Sequence, residues 1–235
     1  MFDFTGKVVL VTGGSGNLGG AVVRAFAAAG ASLVVPDRRQ GRLAQLFPDL
    51  ANGAHALLDG VDVITPPGAA QTVQAALDRC GRIDVVINTV GGYAAGQPVH
   101  ETAPDTWDLM LDLNAKSVFT ISRAVLPTLL AQGSGVIIST GAKSALAARA
   151  TESAYAASKA ALARLTESMA AEYGGKGIRA NLVLPGIIDT PENRAAMPKA
   201  DFSKWIRPEQ IADVMCFLAS EAGRVINGAL IPVYG

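Results

Sequence analysis

Short apolar segments alternate with longer helical patterns along almost the whole 235-residue chain, and this alternation limits the possible folds more than any other feature. The apolar segments are rich in β-branched residues and lack a polar face, as expected of strands buried on both sides. They lie at residues 7–12, 32–36, 54–58, 83–88, 135–140, 178–184 and 229–233. The helical patterns lie between them, at 17–30, 39–47, 68–80, 103–131 with a break, 151–173 and 208–220. We therefore predict an α/β fold, with a parallel sheet of about seven strands and helices on both faces.

The composition indicates one domain rather than two. Half of the residues are apolar and 17% are charged, which suffices for a large core. Because no linker, repeat or low-complexity tract interrupts the pattern, we expect a single domain over residues 1–235. The one long irregular connection, 186–207, is rich in Pro, Asp, Asn and Lys, and long connections near strand ends often carry function.

Charge and cysteine usage argue against several classes of partner. Twenty basic and twenty acidic residues give a net charge of zero, so no global field favours nucleic acid or an anionic membrane. Cys80 and Cys216 lie in helical patterns without metal-ligand spacing, which favours reduced core thiols and predicts no metal site. The first residues lack the pattern of a signal peptide, and no apolar run reaches the roughly 20 residues that span a bilayer. We expect a cytoplasmic protein.

A glycine-rich segment, "VTGGSGNLGG", follows the first strand and opens the first helix. Glycines in this context let the backbone approach a pyrophosphate, whose charge then lies at the helix N-terminus. A strand–helix turn without a ligand is the alternative. The candidate cofactor contacts in this segment are Gly13, Ser15, Gly16, Asn17, Leu18 and Gly19.

The residues after the second and third strands bear on which dinucleotide binds. Asp37 ends the second strand, where a carboxylate can accept hydrogen bonds from a ribose 2′-hydroxyl and would repel a 2′-phosphate. Asp62 and Val63 follow the third strand, where the adenine edge could be recognised. Arg38 and Arg39 suit a 2′-phosphate, but the carboxylate favours NAD(H), with NADP(H) as the alternative. Asp37 could also be an ordinary surface turn residue.

The motifs further along the chain point to a family. Tyr155 and Lys159, in "YAASK", lie four residues apart on one helix face. With the glycine segment, in which Asn17 replaces the middle glycine of Thr-Gly-x-x-x-Gly-x-Gly, they resemble the short-chain dehydrogenase/reductase family over essentially the whole chain. The other matching positions are Asn88 and Gly91 in "NTVG", Asn114 in "LDLNAKSVF", and Pro185, Gly186 and Thr190 in "PGIIDT".

The resemblance implies a Rossmann-type domain that transfers a hydride to or from a nicotinamide, usually as a homodimer or homotetramer. It implies that Tyr155 is the acid/base, that Lys159 binds the nicotinamide ribose, and that Asn114 holds a water in a proton relay. A phenol ordinarily titrates near 10, and we expect the adjacent ammonium and a cationic nicotinamide ring to favour the phenolate. The segment expected to hold the nicotinamide carboxamide comprises Pro185, Gly186, Ile188 and Thr190.

Ala142 departs from the family pattern. It lies thirteen residues before Tyr155, where most members carry a serine that orients the substrate carbonyl. Ser139 or Ser144 could be a displaced serine. Alternatively, "GGYAAG", "TGAKSAL" and the loop 184–205 resemble the dihydropteridine reductase branch, which also has alanine here and reduces quinonoid dihydropterins with NADH.

Three functions therefore remain open at this point. The first is reduction of a quinonoid dihydropteridine, whose electrophilic ring tolerates the loss of one hydrogen bond. The second is an ordinary ketone or 3-oxoacyl reductase with a displaced serine, and the third is a non-catalytic dinucleotide sensor, which would not need a proton donor. A small-molecule substrate is expected in the first two, with Tyr93, Ala142 and Trp205 as candidate contacts.

Overall fold

The computed structural model describes residues 2–51 and 53–235, and within them seven parallel strands form one sheet. The strands are β1 Val8–Thr12, β2 Ser32–Asp37, β3 Ala56–Asp59, β4 Val85–Asn88, β5 Gly135–Thr140, β6 Ile178–Pro185 and β7 Leu230–Val233. Their order across the sheet is β3-β2-β1-β4-β5-β6-β7. The order reverses between β1 and β4, and ligands of open α/β sheets bind at the carboxyl ends of the strands at such a point.

Helices cover both faces of this sheet. They are α1 Asn17–Ala28, α2 Arg42–Leu46, α3 Pro66–Cys80, α4 Pro104–Leu111, α5 Ser117–Gln132, α6 Ser153–Tyr173, α7 Pro191–Ala196 and α8 Pro208–Ala219. Alternate residues of each strand point to opposite faces. In β1, Val9 packs with α1 and α8 on one face, and Leu10 packs with α3, α5 and α6 on the other. The structure confirms the predicted doubly wound Rossmann-type fold. Among the described helices, none is both long and apolar enough to cross a bilayer.

Several predicted boundaries shift, for local reasons. The helix expected at 39–47 begins only at Arg42, because Gly41 has a left-handed φ of 68° and cannot belong to its first turn. The third strand begins at Ala56 rather than at residue 54. The connection 186–207 contains the short helix α7, whose first amides are capped by the Thr190 side chain. The predicted domain range, 1–235, includes Met1 and Asn52, which lie outside the described residues.

The break predicted within 103–131 is a π-helical turn. It spans Asp112–Lys116, between α4 and α5, and holds Asn114 at its centre. Such a turn inserts one residue into a helix, is rare, and occurs mostly at functional sites. The inserted residue turns the Asn114 side chain toward the carboxyl edge of the sheet, where it contacts the backbone of Gly92.

Candidate active site

The glycine segment forms a tight turn between β1 and α1. Gly13 has a φ of 72°, and a Cβ there would lie 2.8 Å from the Val90 amide nitrogen. A Cβ at Gly19 would collide with the Gly13 carbonyl oxygen. Only glycine therefore permits the close approach of the two chain segments. α1 begins directly after Gly16, and the unpaired amides of a helix's first turn favour a bound anion.

Beside this turn lies a cavity of about 260 Å³ at the carboxyl ends of β1, β2 and β4. Its walls combine glycines, two carboxylates and two guanidinium groups, a set of polar groups that fits the phosphates and ribose of a dinucleotide. Ile64, Val90 and Leu113 add apolar surface. The predicted cofactor residues that line this cavity are Gly13, Ser15, Gly16, Asp37, Arg38, Asp62, Val63 and Gly91.

Three predicted cofactor residues have other side-chain roles. The Leu18 side chain packs into the core between the sheet and α1. Asn88 is 1% exposed and donates to Ser139 Oγ at 3.1 Å, so it ties β4 to β5 and does not line the cavity. The Asn17 amide donates to Glu192 Oε2 at 2.7 Å, which joins the glycine turn to α7. For Leu18 and Asn88, the sequence motif marks a structural position rather than a side chain that faces the ligand.

Asp37 is held by its neighbours at the end of β2. Its Oδ1 accepts from the Arg39 backbone amide at 2.7 Å and lies 3.4 Å from Arg39 Nε. The Arg39 guanidinium also donates to Ser15 Oγ. Burial opposes the charged form, but hydrogen bonds from Ser15 and Arg39 keep the pKa of Asp37 below its usual value. Arg39 thus neutralises the carboxylate, whereas Arg38 is exposed.

α6 brings Tyr155 and Lys159 to the same edge of the sheet. Lys159 is 4% exposed, and its Nζ donates to the Thr140 carbonyl oxygen at 2.9 Å, at the end of β5. The ammonium lies 5.9 Å from the centroid of the Tyr155 ring. Burial lowers the pKa of Lys159 to about 8.

The protein groups around Tyr155 favour its protonated form. Burial raises the pKa of Tyr155 to about 12, and the charges of Glu152 and Tyr93 add to the effect. Burial and the Glu152 carboxylate dominate among the protein's own groups, and the expectation that Lys159 and a bound nicotinamide favour the phenolate stays a prediction. The phenol stays protonated at neutral pH, which suits a proton donor.

Asn114 is fully buried, and its side chain is committed to the protein. Its Oδ1 accepts from the Gly92 amide at 3.0 Å, and its Nδ2 donates at 3.0 Å to both the Gly92 carbonyl and Ser158 Oγ. Ser158 in turn donates to the Tyr155 carbonyl at 2.7 Å. Asn114 therefore fixes the segment after β4 against α6.

Neither candidate for a displaced serine is placed to meet the substrate, because one is buried in the sheet and the other donates its proton to a carboxylate. Ser139 is 1% exposed within β5 and bonds to Asn88, so it does not reach the substrate side. Ser144 donates to Glu152 Oε2 at 2.8 Å. Ala142 lies between them, half-buried with extended backbone. The wall facing Tyr155 thus lacks the usual hydroxyl.

The other predicted contacts lie on the segment that follows β6. Pro185 ends that strand, and a Cβ at Gly186 would lie 2.9 Å from the Tyr234 carbonyl oxygen. Ile188 pairs with Ile206 in a parallel bridge, and Thr190 caps α7. Trp205, a candidate substrate contact, is 8% exposed and packs on Phe202 with ring centroids 4.7 Å apart. These contacts favour a packed loop anchor at Trp205.

Sequence reasoning missed Glu152. Its carboxylate accepts from Ser144 and from the Tyr93 hydroxyl, the latter at 3.5 Å. The Tyr93 ring lies edge-on to the Tyr155 ring, with centroids 4.8 Å apart. Glu152 precedes Tyr155 by three residues, and that spacing, which places both on one helix face, was the available signal.

The comparisons with known proteins agree with this geometry. The sequence model of the short chain dehydrogenase family matches residues 7–201. The chain belongs to this family. The meso-2,3-butanediol dehydrogenase of Serratia marcescens is 34% identical over 99% of this chain and 94% of its own length. The 3-oxoacyl-[acyl-carrier-protein] reductase of Thermotoga maritima is 30% identical over 98% of this chain and 97% of its own length.

A solved structure supports the same conclusion. The L-sorbose reductase of Gluconobacter frateurii, complexed with NADPH and L-sorbose, has a TM-score of 0.88 and 26% identity over 99% of this chain and 97% of that chain. This short-chain dehydrogenase is therefore an oxidoreductase that uses a nicotinamide dinucleotide and a small-molecule substrate. The three relatives named here are dehydrogenases or reductases of alcohols and ketones, and they lend no support to the resemblance to the dihydropteridine reductase branch.

Proposed function

We propose that this short-chain dehydrogenase interconverts a hydroxyl and a carbonyl group of a small substrate, with Tyr155 as the acid/base. The observation that carries the proposal is the position of Tyr155. Its α6 neighbour Lys159 bonds to the end of β5, next to the glycine-lined cavity. A dinucleotide sensor would not need a half-buried, protonated phenol at this place.

Each chain residue has a separate part in the proposed reaction. When bound, the nicotinamide dinucleotide supplies or accepts the hydride. Tyr155 donates its proton to the carbonyl oxygen in reduction and takes it back in oxidation. Lys159 holds the nicotinamide ribose, and Asn114 positions the segment that carries Gly91 and Gly92. The segment 185–190 closes the nicotinamide end of the site.

For the cofactor, we propose a preference for NAD(H). The carboxylate of Asp37 at the end of β2 supports it, because it can accept from a ribose 2′-hydroxyl. NADP(H) is the alternative, supported by Arg38, by Arg39 and by the NADPH in the L-sorbose reductase structure. The pairing of Arg39 with Asp37 favours NAD(H), because the guanidinium is already neutralised.

For the substrate, the relatives support a small alcohol or ketone. One is named for 2,3-butanediol, and another binds L-sorbose; both compounds carry oxygen atoms on adjacent carbons. A quinonoid dihydropteridine is the second candidate, favoured by Ala142, since a strongly electrophilic ring needs less polarisation than a ketone.

Steady-state assays with both substrate classes test this choice. We expect NADH-dependent reduction of small hydroxyketones or ketones and slow or absent reduction of quinonoid dihydropterin. Ala142→Ser should restore a carbonyl hydrogen bond worth about 0.5–1.5 kcal/mol and raise ketone reduction several-fold, while leaving pterin reduction level or lower. Pterin reduction without ketone reduction would reverse the assignment.

We also propose that the protein is cytoplasmic and assembles as a homodimer or homotetramer through the faces of α5 and α6. The support is an apolar groove between these helices, together with Phe119, which is 51% exposed on α5. Partly exposed apolar side chains grouped on one face favour burial against a second copy. Light scattering of the purified chain tests the proposal, and a monomer at micromolar concentration would contradict it.

A further inference from the structure

Glu152 is a carboxylate at the substrate side of the site that the proposed reaction does not use. It stands immediately before α6, three residues ahead of Tyr155, with a non-helical backbone. Its charge reaches both phenols, because it contributes to raising the pKa of Tyr155 and, after burial, that of Tyr93. The Tyr93 hydroxyl contacts the Glu152 carboxylate, and the centroid of the Tyr93 ring lies 4.8 Å from that of the Tyr155 ring, so the carboxylate lies on the same side of the site as the reacting phenol.

Two hydroxyl groups fix the orientation of this carboxylate. Ser144 Oγ donates to Oε2 at 2.8 Å, and the Tyr93 hydroxyl donates to Oε1 at 3.5 Å. A carboxylate offers about four acceptor positions, so these two bonds leave others available. Ser144 and Tyr93 come from the segments after β5 and β4, which flank Tyr155 on both sides.

The site needs a second point of attachment for its substrate. Ala142 offers no hydroxyl, and Ser139 is bonded to Asn88 inside the sheet. Tyr155 alone would hold a carbonyl oxygen by one hydrogen bond, which leaves the carbonyl free to rotate about it. A fixed acceptor one helical turn away can remove that freedom if the substrate carries a donor.

We propose that Glu152 is the specificity-determining residue and accepts a hydrogen bond from a hydroxyl group on the carbon next to the reacting carbonyl. This inference rests on the function proposed above, and it assigns the substrate to the α-hydroxyketones and vicinal diols. In this proposal one small molecule with hydroxyl and carbonyl oxygens on adjacent carbons contacts Glu152 and Tyr155 together.

The charges around Glu152 favour a neutral donor. The carboxylate repels anionic substrates, whereas the charge of Arg149 acts on Tyr93, the partner of Glu152. A hydroxyl group carries no such penalty, and hydrogen bonds to charged acceptors are the stronger class.

The test compares matched substrates that differ by one hydroxyl group. The pairs are 3-hydroxy-2-butanone with 2-butanone, and 2-hydroxycyclohexanone with cyclohexanone, each assayed for kcat/KM with NADH and with NADPH. We expect the unmodified protein to prefer the hydroxyketone by about tenfold or more, as for a hydrogen bond to a charged group. Glu152→Gln should reduce kcat/KM for the hydroxyketone about tenfold and change that for the plain ketone less than threefold.

The ratio between paired substrates separates recognition from a structural role. Removing the Glu152 charge makes Tyr155 more acidic for both members of a pair, so this effect cancels in the ratio. Glu167→Gln, at the exposed pair with Arg164 on the same helix, is the control and should leave the ratio unchanged. Ser144→Ala, which removes one hydrogen bond to the carboxylate, should lower the ratio partially even if Glu152→Gln folds poorly.

Two results would overturn the inference in different ways. If Glu152→Gln lowers both members of a pair equally, or the unmodified protein does not discriminate between them, Glu152 does not recognise the hydroxyl, and the proposed alcohol–ketone function stands. If none of the four ketones is reduced with either cofactor, the proposed function fails together with the inference.

Discussion

At the scale of single residues, Tyr155 is a phenol whose surroundings keep its proton on. Burial is the largest cause, and the carboxylate of Glu152 adds to it. Reduction needs the phenol and oxidation needs the phenolate, so the protein's own groups favour reduction at neutral pH. A positive charge on a bound nicotinamide would lower the pKa of Tyr155 and so favour oxidation.

Replacing the Tyr155 hydroxyl tests its role as proton donor. Tyr155→Phe should lower kcat by about 10²-fold or more, the usual range for general acid catalysis, while the affinity for the dinucleotide changes little. Steady-state kinetics and fluorescence titration with NADH measure the two quantities. Tyr173→Phe, at the other end of α6, is the matched control and should keep full activity. An unchanged kcat in Tyr155→Phe would remove the phenol from the mechanism.

The direction of the Tyr155 pKa also gives a pH dependence. In oxidation the fraction of phenolate grows as the pH rises toward that pKa, so kcat/KM for the alcohol should increase from pH 6 to pH 9. In reduction the phenol is already protonated over this range, so kcat/KM for the ketone should stay nearly level. Parallel pH profiles in both directions would contradict the assignment of Tyr155 as the only titrating acid/base.

Asp37 and Arg39 form a salt bridge at the end of the cleft where we propose that the adenosine binds. Asp37→Ala removes the acceptor for the 2′-hydroxyl and frees Arg39 to meet a 2′-phosphate. The ratio of kcat/KM with NADH to that with NADPH should therefore fall about tenfold or more, as for one hydrogen bond to a charged group. Arg39→Ala is the paired variant and should move the ratio the opposite way. A parent protein that already prefers NADPH would give the guanidinium groups the deciding role.

At the scale of elements, the π-helical turn is what brings α4–α5 into contact with the segment after β4. Asn114→Ala should lower the free energy of unfolding by about 2–4 kcal/mol, because it leaves the Gly92 amide and carbonyl without their partners. Urea denaturation measures this change. Asn17→Ala, which removes only an exposed bond to Glu192, should stay within about 0.5 kcal/mol of the parent. Equal stabilities would mean that the turn is held by other contacts.

The sequence predicted the elements better than the directions of their side chains. Period and composition mark β1 or α6 locally, whereas Gly41, which shortens α2, acts through a φ angle that composition does not encode. The motif that contains Asn88 is correct, yet its side chain turns into the sheet to bond Ser139. The role proposed for Glu152 depends on its contacts with Ser144 and Tyr93, which come from other segments of the chain. A local sequence pattern does not predict such contacts.

At the scale of the whole molecule, the site is assembled at a cost in stability. Four elements distant in sequence meet at the carboxyl edge of the sheet, and they enclose an ammonium group at Lys159 that is almost inaccessible to water. Burying a charge without an opposite one nearby is unfavourable, and here a single carbonyl oxygen, that of Thr140, compensates. In the proposed reaction Lys159 holds the nicotinamide ribose, and this role would explain why an ammonium that is unfavourable for the fold is kept at this position.

Removing this charge should therefore stabilise the protein while it abolishes activity. The fall in the pKa of Lys159 from 10.5 to about 8 corresponds to a destabilisation of the native state by about 3 kcal/mol. The variant avoids this cost but loses the hydrogen bond to Thr140, which is worth about 1 kcal/mol. We expect Lys159→Met to raise the free energy of unfolding by about 2 kcal/mol at pH 7, measured by urea denaturation without added dinucleotide. Lys199→Met, at an exposed position, is the control and should change it little.

The pH dependence of that gain distinguishes a buried charge from improved packing. Between about pH 8 and 10.5 the unfolded chain keeps the Lys159 proton and the native chain does not, so the stability of the unmodified protein relative to the variant rises with pH. The advantage of Lys159→Met should be complete below pH 8 and fall to within about 1 kcal/mol of zero near pH 10. A gain that is the same at pH 7 and pH 10 would show that methionine packs better, and that the ammonium is not destabilising.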